Sequence, residues 1–237
     1  MSLIRIAGPL GAAVLAAGLS ACVSLLPKSD PAQLYRFGVE PAATGAPAGA
    51  PTTGLVLQAV TFPRAAGGDQ ILTLTNGQAA YINAARWVSP AAILFQEAVQ
   101  TSFDTGGKRA RLLSRGELGA GAGFLRLDVR TFETRYLQGP ELAPTVAVSV
   151  RGRISGLDGT ILSEQTFGAE AKASDNRVGP IATAYDEAVG KVVAEVTAWA
   201  DQAAPAPRPR PALQTTTTST STSTTSTTVV PAPAPTR

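Results

Sequence analysis

Polar and apolar residues alternate along two long stretches in the middle of the chain. From Phe124 to Tyr136, Leu125, Leu127 and Val129 point one way while Arg126, Asp128 and Arg130 point the other. From Thr145 to Ile154, Val146, Val148, Val150 and Ile154 form the inward set. A period of two marks a strand with one buried face. Asp158-Gly159 then turns the chain into a third strand over Thr160 to Phe167. A two-residue turn there sets Leu157 opposite Thr160, and Arg153 opposite Glu164 on the outer face, within reach of a cross-strand ion pair. Upstream, Leu34 to Glu40 and Leu55 to Phe62 read as strands, separated by an Ala/Gly/Pro loop from Pro41 to Gly54. Ile71 to Thr75 and Gln78 to Ile82 flank Asn76-Gly77, the strongest two-residue hairpin signal, which places Leu74 opposite Ala79 and Leu72 opposite Tyr81. Ala110 to Leu113 is a further short strand.

Two segments change to a period of 3.6. The first has Ser89 as its N-cap, Pro90 in the first helical position and Gly106 just beyond the end, with Ile93, Leu94, Ala98, Thr101 and Phe103 as its buried stripe. The second runs from about Pro180 to Ala203, with Ile181, Tyr185, Ala188, Val189, Val192, Val196 and Trp199 on one face. These elements predict an α+β fold, a largely antiparallel sheet with two amphipathic helices on one face. The other face carries Arg126, Arg130, Arg151, Arg153 and Glu164, as a solvated or partner-facing surface would.

The N-terminal segment belongs to neither pattern. Arg5 precedes an apolar run from Ile6 to Leu19, and the run closes on Leu19-Ser20-Ala21-Cys22. A basic start, a short apolar stretch and a small-residue cleavage zone are the parts of a secretory signal. The run is shorter than the ~20 residues that cross a bilayer core. Leu-Ser-Ala-Cys resembles the lipobox of bacterial lipoproteins, so residues 1–21 read as a cleaved signal peptide and Cys22 as the acylated N-terminus. Two acyl chains anchor a protein stably without a spanning helix. Val23 stands where enteric inner-membrane lipoproteins carry aspartate, and by that resemblance the outer membrane's periplasmic leaflet is the expected destination, with the inner membrane the alternative. Residues 22–33 then form the lipidated tether, 34–203 the folded domain and 204–237 a tail. Thr215 to Thr228 consists only of threonine and serine between proline-rich flanks, a composition expected to be disordered.

The net charge of +3 comes from the ends: between Leu34 and Ala204 there are 15 basic and 16 acidic residues. A near-neutral domain lacks the clustered positive charge of a nucleic-acid binder. The chain contains no histidine, which excludes imidazole catalysis and histidine metal sites, and Cys22 is its one cysteine. Gly107-Lys108 is not preceded by a phosphate-binding loop, and Gly119 to Gly123 has no strand-to-helix context. Glu97 and Glu133 have two readings, a carboxylate pair of the glycosidase kind or solvated and salt-bridged surface groups, and the second is favoured. No enzyme activity, metal or cofactor is expected. Trp87 has two readings: a docking hot spot, or an apolar residue that staples the first helix to the sheet, the reading its place ahead of the cap favours. Tyr35 and Tyr81 read as core edges with a wet hydroxyl.

Leu34-Tyr35 resembles the opening strand of the ABC-type transport auxiliary lipoprotein family. The hairpin from Ile71 to Ile82 does too, running into Arg86-Trp87, Pro90 and a helix through Leu94. Leu127-x-Val129-x-x-Phe132-Glu133 is similar to that family's alternating strand ending in Phe-Glu. The Asp158-Gly159 hairpin and the last helix, with Ala184 and Ala188, stand in the family's order. The resemblance spans Leu34 to Ala203 and omits the loop from Pro41 to Gly54 and the Thr/Ser tail. It implies a non-catalytic accessory of mammalian-cell-entry (MCE) type transport systems, which are implicated in lipid traffic across the envelope. The implied partners are a periplasmic MCE protein and its ABC permease and ATPase, with a homo-oligomer also open. Arg126, Arg130, Arg151, Arg153 and Trp87 are the candidate partner-binding residues. Two alternatives stand beside this reading: a lipid- or lipopolysaccharide-handling lipoprotein with an acyl groove between helices and sheet, and a structural lipoprotein whose tail threads the cell wall.

Overall fold

The computed structural model describes residues 31–38, 53–114, 117 and 121–206. The signal peptide, Cys22, most of the tether, the loop after Gly38 and the Thr/Ser tail lie outside them. Eight strands form one sheet: β1 (Gln33–Tyr35), β2 (Thr53–Leu57), β3 (Gln70–Thr75), β4 (Gln78–Trp87), β5 (Ala110–Leu112), β6 (Gly123–Arg135), β7 (Thr145–Gly156) and β8 (Ile161–Lys172). Helix α1 (Ala91–Gly106) lies between β4 and β5, and α2 (Val178–Ala203) follows β8.

The sheet is mixed, not largely antiparallel. The pairs β3–β4, β6–β7 and β7–β8 are antiparallel, each joined by a connection too short for a parallel crossover. Between non-consecutive strands the pairing is parallel: β1 with β4, β2 with β5 and β6, and β3 with β6. One edge of β6 is shared, by β2 at Leu55 to Leu57 and by β3 at Thr73 and Leu74, while β7 takes the whole other edge. Side-chain alternation is the same in either direction, so the sequence pattern does not carry this distinction.

Both helices cover one face. Phe132 of β6 meets Tyr185 of α2 at 4.8 Å, and it meets Phe62 at 5.4 Å, which in turn reaches Phe95 of α1 at 5.6 Å. A bulge in β6 keeps that face apolar. Register shifts between Val129 and Thr131, so Leu125, Leu127 and Val129 are followed inward by Phe132 and Thr134. Where β7 passes beneath α2 there is no room for a side chain: a Cβ on Gly152 would stand 2.9 Å from the Trp199 ring.

Several predicted boundaries and contacts differ. Strand β1 ends at Tyr35, because Phe37 turns into the core and Gly38, at φ +73, lies against Ala98. Strand β2 likewise stops at Leu57, leaving a lone bridge from Thr61 to Asp128. Pro90, not Ser89, occupies the α1 cap position, and no side chain caps the helix. Backbone carbonyls take that role: the amides of Ala91 and Ala92 donate to Gly68 (2.8 Å) and Gly67 (3.2 Å). At the other end Gly106 is the last helical residue and Gly107 the cap. Ile93 is 48% exposed, and Phe95 and Val99 complete the buried stripe in its place. All seven residues predicted for the inner face of α2 are buried.

The last hairpin reaches its predicted pairing by another route. The amide of Gly156 donates to the Thr160 carbonyl (2.8 Å), so the loop has three residues, closed by Gly159 at φ +85. Register then shifts again, since Ser155 pairs with Ile161 and Ile154 with Ser163. The bulge at Leu162 cancels the offset of the longer loop, and Arg153 does stand opposite Glu164.

Candidate interaction surfaces

The strand alternation that buries Leu125 to Val129 and Val146 to Ile154 drives the arginines to the far side of the sheet, but most do not stand free there. Glu164 accepts from Arg151 Nη2 at 2.5 Å and from Arg153 Nε at 2.8 Å. These two bonds hold its carboxyl below the usual carboxylate range. Arg135 bridges Glu133 (2.8 Å) and Glu170 (3.3 Å). Arg126 pairs with Asp128 at 3.3 Å, and Asp128 also accepts from the Thr61 hydroxyl. Burial alone would raise the Asp128 pKa; the Thr61 bond and the charges of Arg126 and Arg130 outweigh it, and the net shift is downward. Exposed pairs of this kind contribute little to stability, about 0–1 kcal/mol each. Their effect is to leave the face nearly neutral and ordered.

Arg130 differs. It occupies the β6 bulge, is exposed, and has no carboxylate within ion-pair distance among the described residues. With Arg126, Asp128, Thr61, Phe62 and Pro63 it lines a recess of about 450 Å³ on the outer face. An arginine fork beside an apolar wall is a favourable composition for a protein contact.

Trp87 lies elsewhere. Only 2% exposed, it packs edge-on against Phe37 (4.9 Å) and Tyr185 (5.1 Å), which places it in the core and off any docking surface. The Tyr81 hydroxyl donates to the Ala65 carbonyl at 3.1 Å and that of Tyr35 to Gln33 at 2.6 Å, both on the molecule's edge.

A larger groove, about 1110 Å³, runs between α1 and α2 on the side away from the sheet. Small residues open it: Ala98, Ser102 and Thr105 from α1 face Gly190, Ala194 and Thr197 from α2. A 2.8 Å bond between the Ser102 and Thr197 hydroxyls ties the two helices together within this lining. At one end Asp186 accepts from the Gly38 amide (2.6 Å). At the other, Asp201 accepts from the amides of Lys108, Arg109 and Ala110 at 2.8–2.9 Å. Sequence reading missed this groove, although small residues at helical spacing were its signal: Gly190, Ala194 and Thr197 in α2, and Ser102 and Thr105 beside Ala98 in α1. The space between helices and sheet, where an acyl channel was the alternative expectation, holds Phe37, Trp87, Phe132 and Tyr185.

The described residues contain no cluster of His, Cys, Asp and Glu that could hold a metal ion, and no helix among them is long and apolar enough to cross a membrane. What the architecture defines is a two-layer α+β domain, a mixed sheet backed by two helices. The chain belongs to the family of ABC-type transport auxiliary lipoprotein components, whose sequence model matches residues 35–197. A crystal structure of a Xanthomonas campestris protein of the DUF330 family superposes with a TM-score of 0.57 at 22% identity, covering 65% of this chain and 87% of that one. A second, of a protein described only as uncharacterized, gives 0.55 at 14% identity, covering 73% and 98%. At these identities the likeness is one of fold. No curated protein matches the sequence.

Proposed function

We propose that this protein is the membrane-anchored, non-catalytic lipoprotein of an MCE-type ABC transport system, and that it docks the system's periplasmic MCE protein during lipid transport across the envelope. The observation that carries this reading is family membership over nearly the whole described domain. The lipobox ahead of it adds the anchor: residues 1–21 are removed, Cys22 is acylated, residues 22–33 tether the domain, and Val23 directs it to the outer membrane's periplasmic leaflet. The ATPase and permease are separate chains, in keeping with the absence of a phosphate-binding loop from this one.

Docking occurs on the outer sheet face, at the recess around Arg130. Arg126 and Arg130 line it and contact the partner, whereas Arg151 and Arg153 act through Glu164, shaping the neighbouring surface. The test is co-purification from detergent-solubilised envelopes with the intact protein, a truncation after Ala204, and Arg130→Glu. The truncation should retain the MCE protein, because Ala204 is the last buried residue among those described, and Arg130→Glu should weaken its recovery about tenfold or more. Recovery of no MCE component with any version, including after crosslinking, would replace this reading with that of a structural envelope lipoprotein.

A further inference from the structure

Strand β8 forms one edge of the sheet. Its inner edge pairs with β7 along its whole length, and among the described residues no strand pairs with the other. The Ala173 amide donates to the Pro144 carbonyl at 2.9 Å, so the odd-numbered residues at this level turn their backbone groups toward β7. Antiparallel alternation then turns the amides and carbonyls of Glu164, Thr166, Gly168, Glu170 and Lys172 away from it. All five residues are exposed. A long edge of this kind is a template for another strand. The devices that commonly block one are sparse here: β8 has no proline, and its bulge and its lysine stand near opposite ends.

We propose that β8 pairs with β8 of a second copy, antiparallel about a two-fold axis at Gly168. Three features select that register. The outward-turned residues are centred on Gly168, so symmetric pairing there engages all of them, with about ten inter-strand hydrogen bonds. It sets Glu164 opposite Lys172 of the other copy, twice, and Thr166 opposite Glu170. The neighbouring registers are poorer: one brings Glu164 against Glu170, like charges face to face, and the other moves Glu164 opposite Ser174, beyond the strand. Gly168 itself puts no side chain on the axis. On the helix side Ala169, Ala171 and Ala173 stand opposite Phe167, Gln165 and Ser163 of the other copy, so each larger side chain there meets an alanine.

The register is testable because Gly168 accepts a side chain: a Cβ there would approach nothing closer than the Val148 carbonyl oxygen at 3.7 Å. Cross-strand Cα atoms in a hydrogen-bonded pair lie about 5.5 Å apart, within disulfide range. Mild oxidation of the full-length Gly168→Cys protein in detergent should therefore give a covalent dimer beyond any formed by the unsubstituted protein. Thr166→Cys, which faces Glu170 of the other copy, should not. By analytical ultracentrifugation, Lys172→Glu should weaken association about tenfold. Adding Glu164→Gln, which removes the new repulsion without setting a lysine against Arg151 and Arg153, should restore most of it. A chain monomeric at every concentration, crosslinking as efficient at 166 as at 168, or failure of Glu164→Gln to restore association would overturn the proposal. None of these measurements depends on acylation or on an MCE partner.

Discussion

Tyr185 illustrates how far a single side chain is committed by its surroundings. It is fully buried among Phe37, Trp87 and Phe132, and its hydroxyl has a 3.2 Å bond from buried Thr134. Burial pushes its pKa well above the ordinary tyrosine value, so it stays neutral. Tyr185→Phe keeps the ring but leaves the Thr134 hydroxyl buried without that partner, at a cost of ~1–3 kcal/mol. Adding Thr134→Val should recover part of that loss in urea unfolding, and a double variant no more stable than Tyr185→Phe would show that the bond is not the source. Glu117 gives the surface counterpart. Arg111 donates two 2.9 Å bonds to it, and Ser114 adds two more from its hydroxyl (3.0 Å) and its amide (3.3 Å), holding its pKa at about 2 against an ordinary value of 4.5. A carboxyl depressed on folding supports the fold above its unfolded pKa, and that support is lost as pH falls from 4.5 toward 2. NMR titration should place Glu117 near the bottom of that window. Arg111→Gln should return it toward 4.5, and an unchanged Glu117 in that variant would refute the assigned cause.

At the scale of elements, short-range signals were legible and long-range partners were not. Asn76-Gly77 gave the β3–β4 register, Leu72 opposite Tyr81 and Leu74 opposite Ala79, because a two-residue turn leaves no freedom. The inner faces of β7 and α2, and that of β6 as far as Val129, followed from periodicity, whereas the bulge that turns Phe132 and Thr134 inward did not. The parallel seams of β2 and β3 on β6 were invisible, since they depend on where a strand lands after a long connection. The arginine face was read correctly as a face, but its pairing of Arg151 and Arg153 onto one Glu164 needed the register. Asp201 was illegible for a similar reason. It leaves the end of α2 to accept the amides of Lys108, Arg109 and Ala110, residues far away in sequence that lead into β5. Asp201→Ala should therefore cost ~1–3 kcal/mol in urea unfolding and speed hydrogen exchange at residues 108–110. Exchange that accelerates evenly over the whole domain would instead mean that Asp201 acts on global stability alone.

At the scale of the molecule, anchoring and folding should be separable. The described core begins at Phe37 and ends at Ala204, and β1 contributes three residues at a sheet edge. Attachment to the membrane, by contrast, rests on one residue in the proposed architecture. Each buried methylene of an acyl chain contributes about 0.8 kcal/mol, so two chains hold the protein stably and loss of both releases it. Cys22→Ala should block acylation and leave the chain either uncleaved or mis-sorted, visible as lost lipid labelling and altered membrane fractionation. The domain should nonetheless unfold at the same temperature as the parent when both are extracted and compared in one detergent, because the described core from Phe37 to Ala204 is left intact. The two readouts separate two kinds of failure. Normal fractionation with unchanged lipid labelling would mean that Cys22 is not the anchor, whereas a lowered unfolding temperature would mean that the tether supports the fold through contacts beyond the described residues.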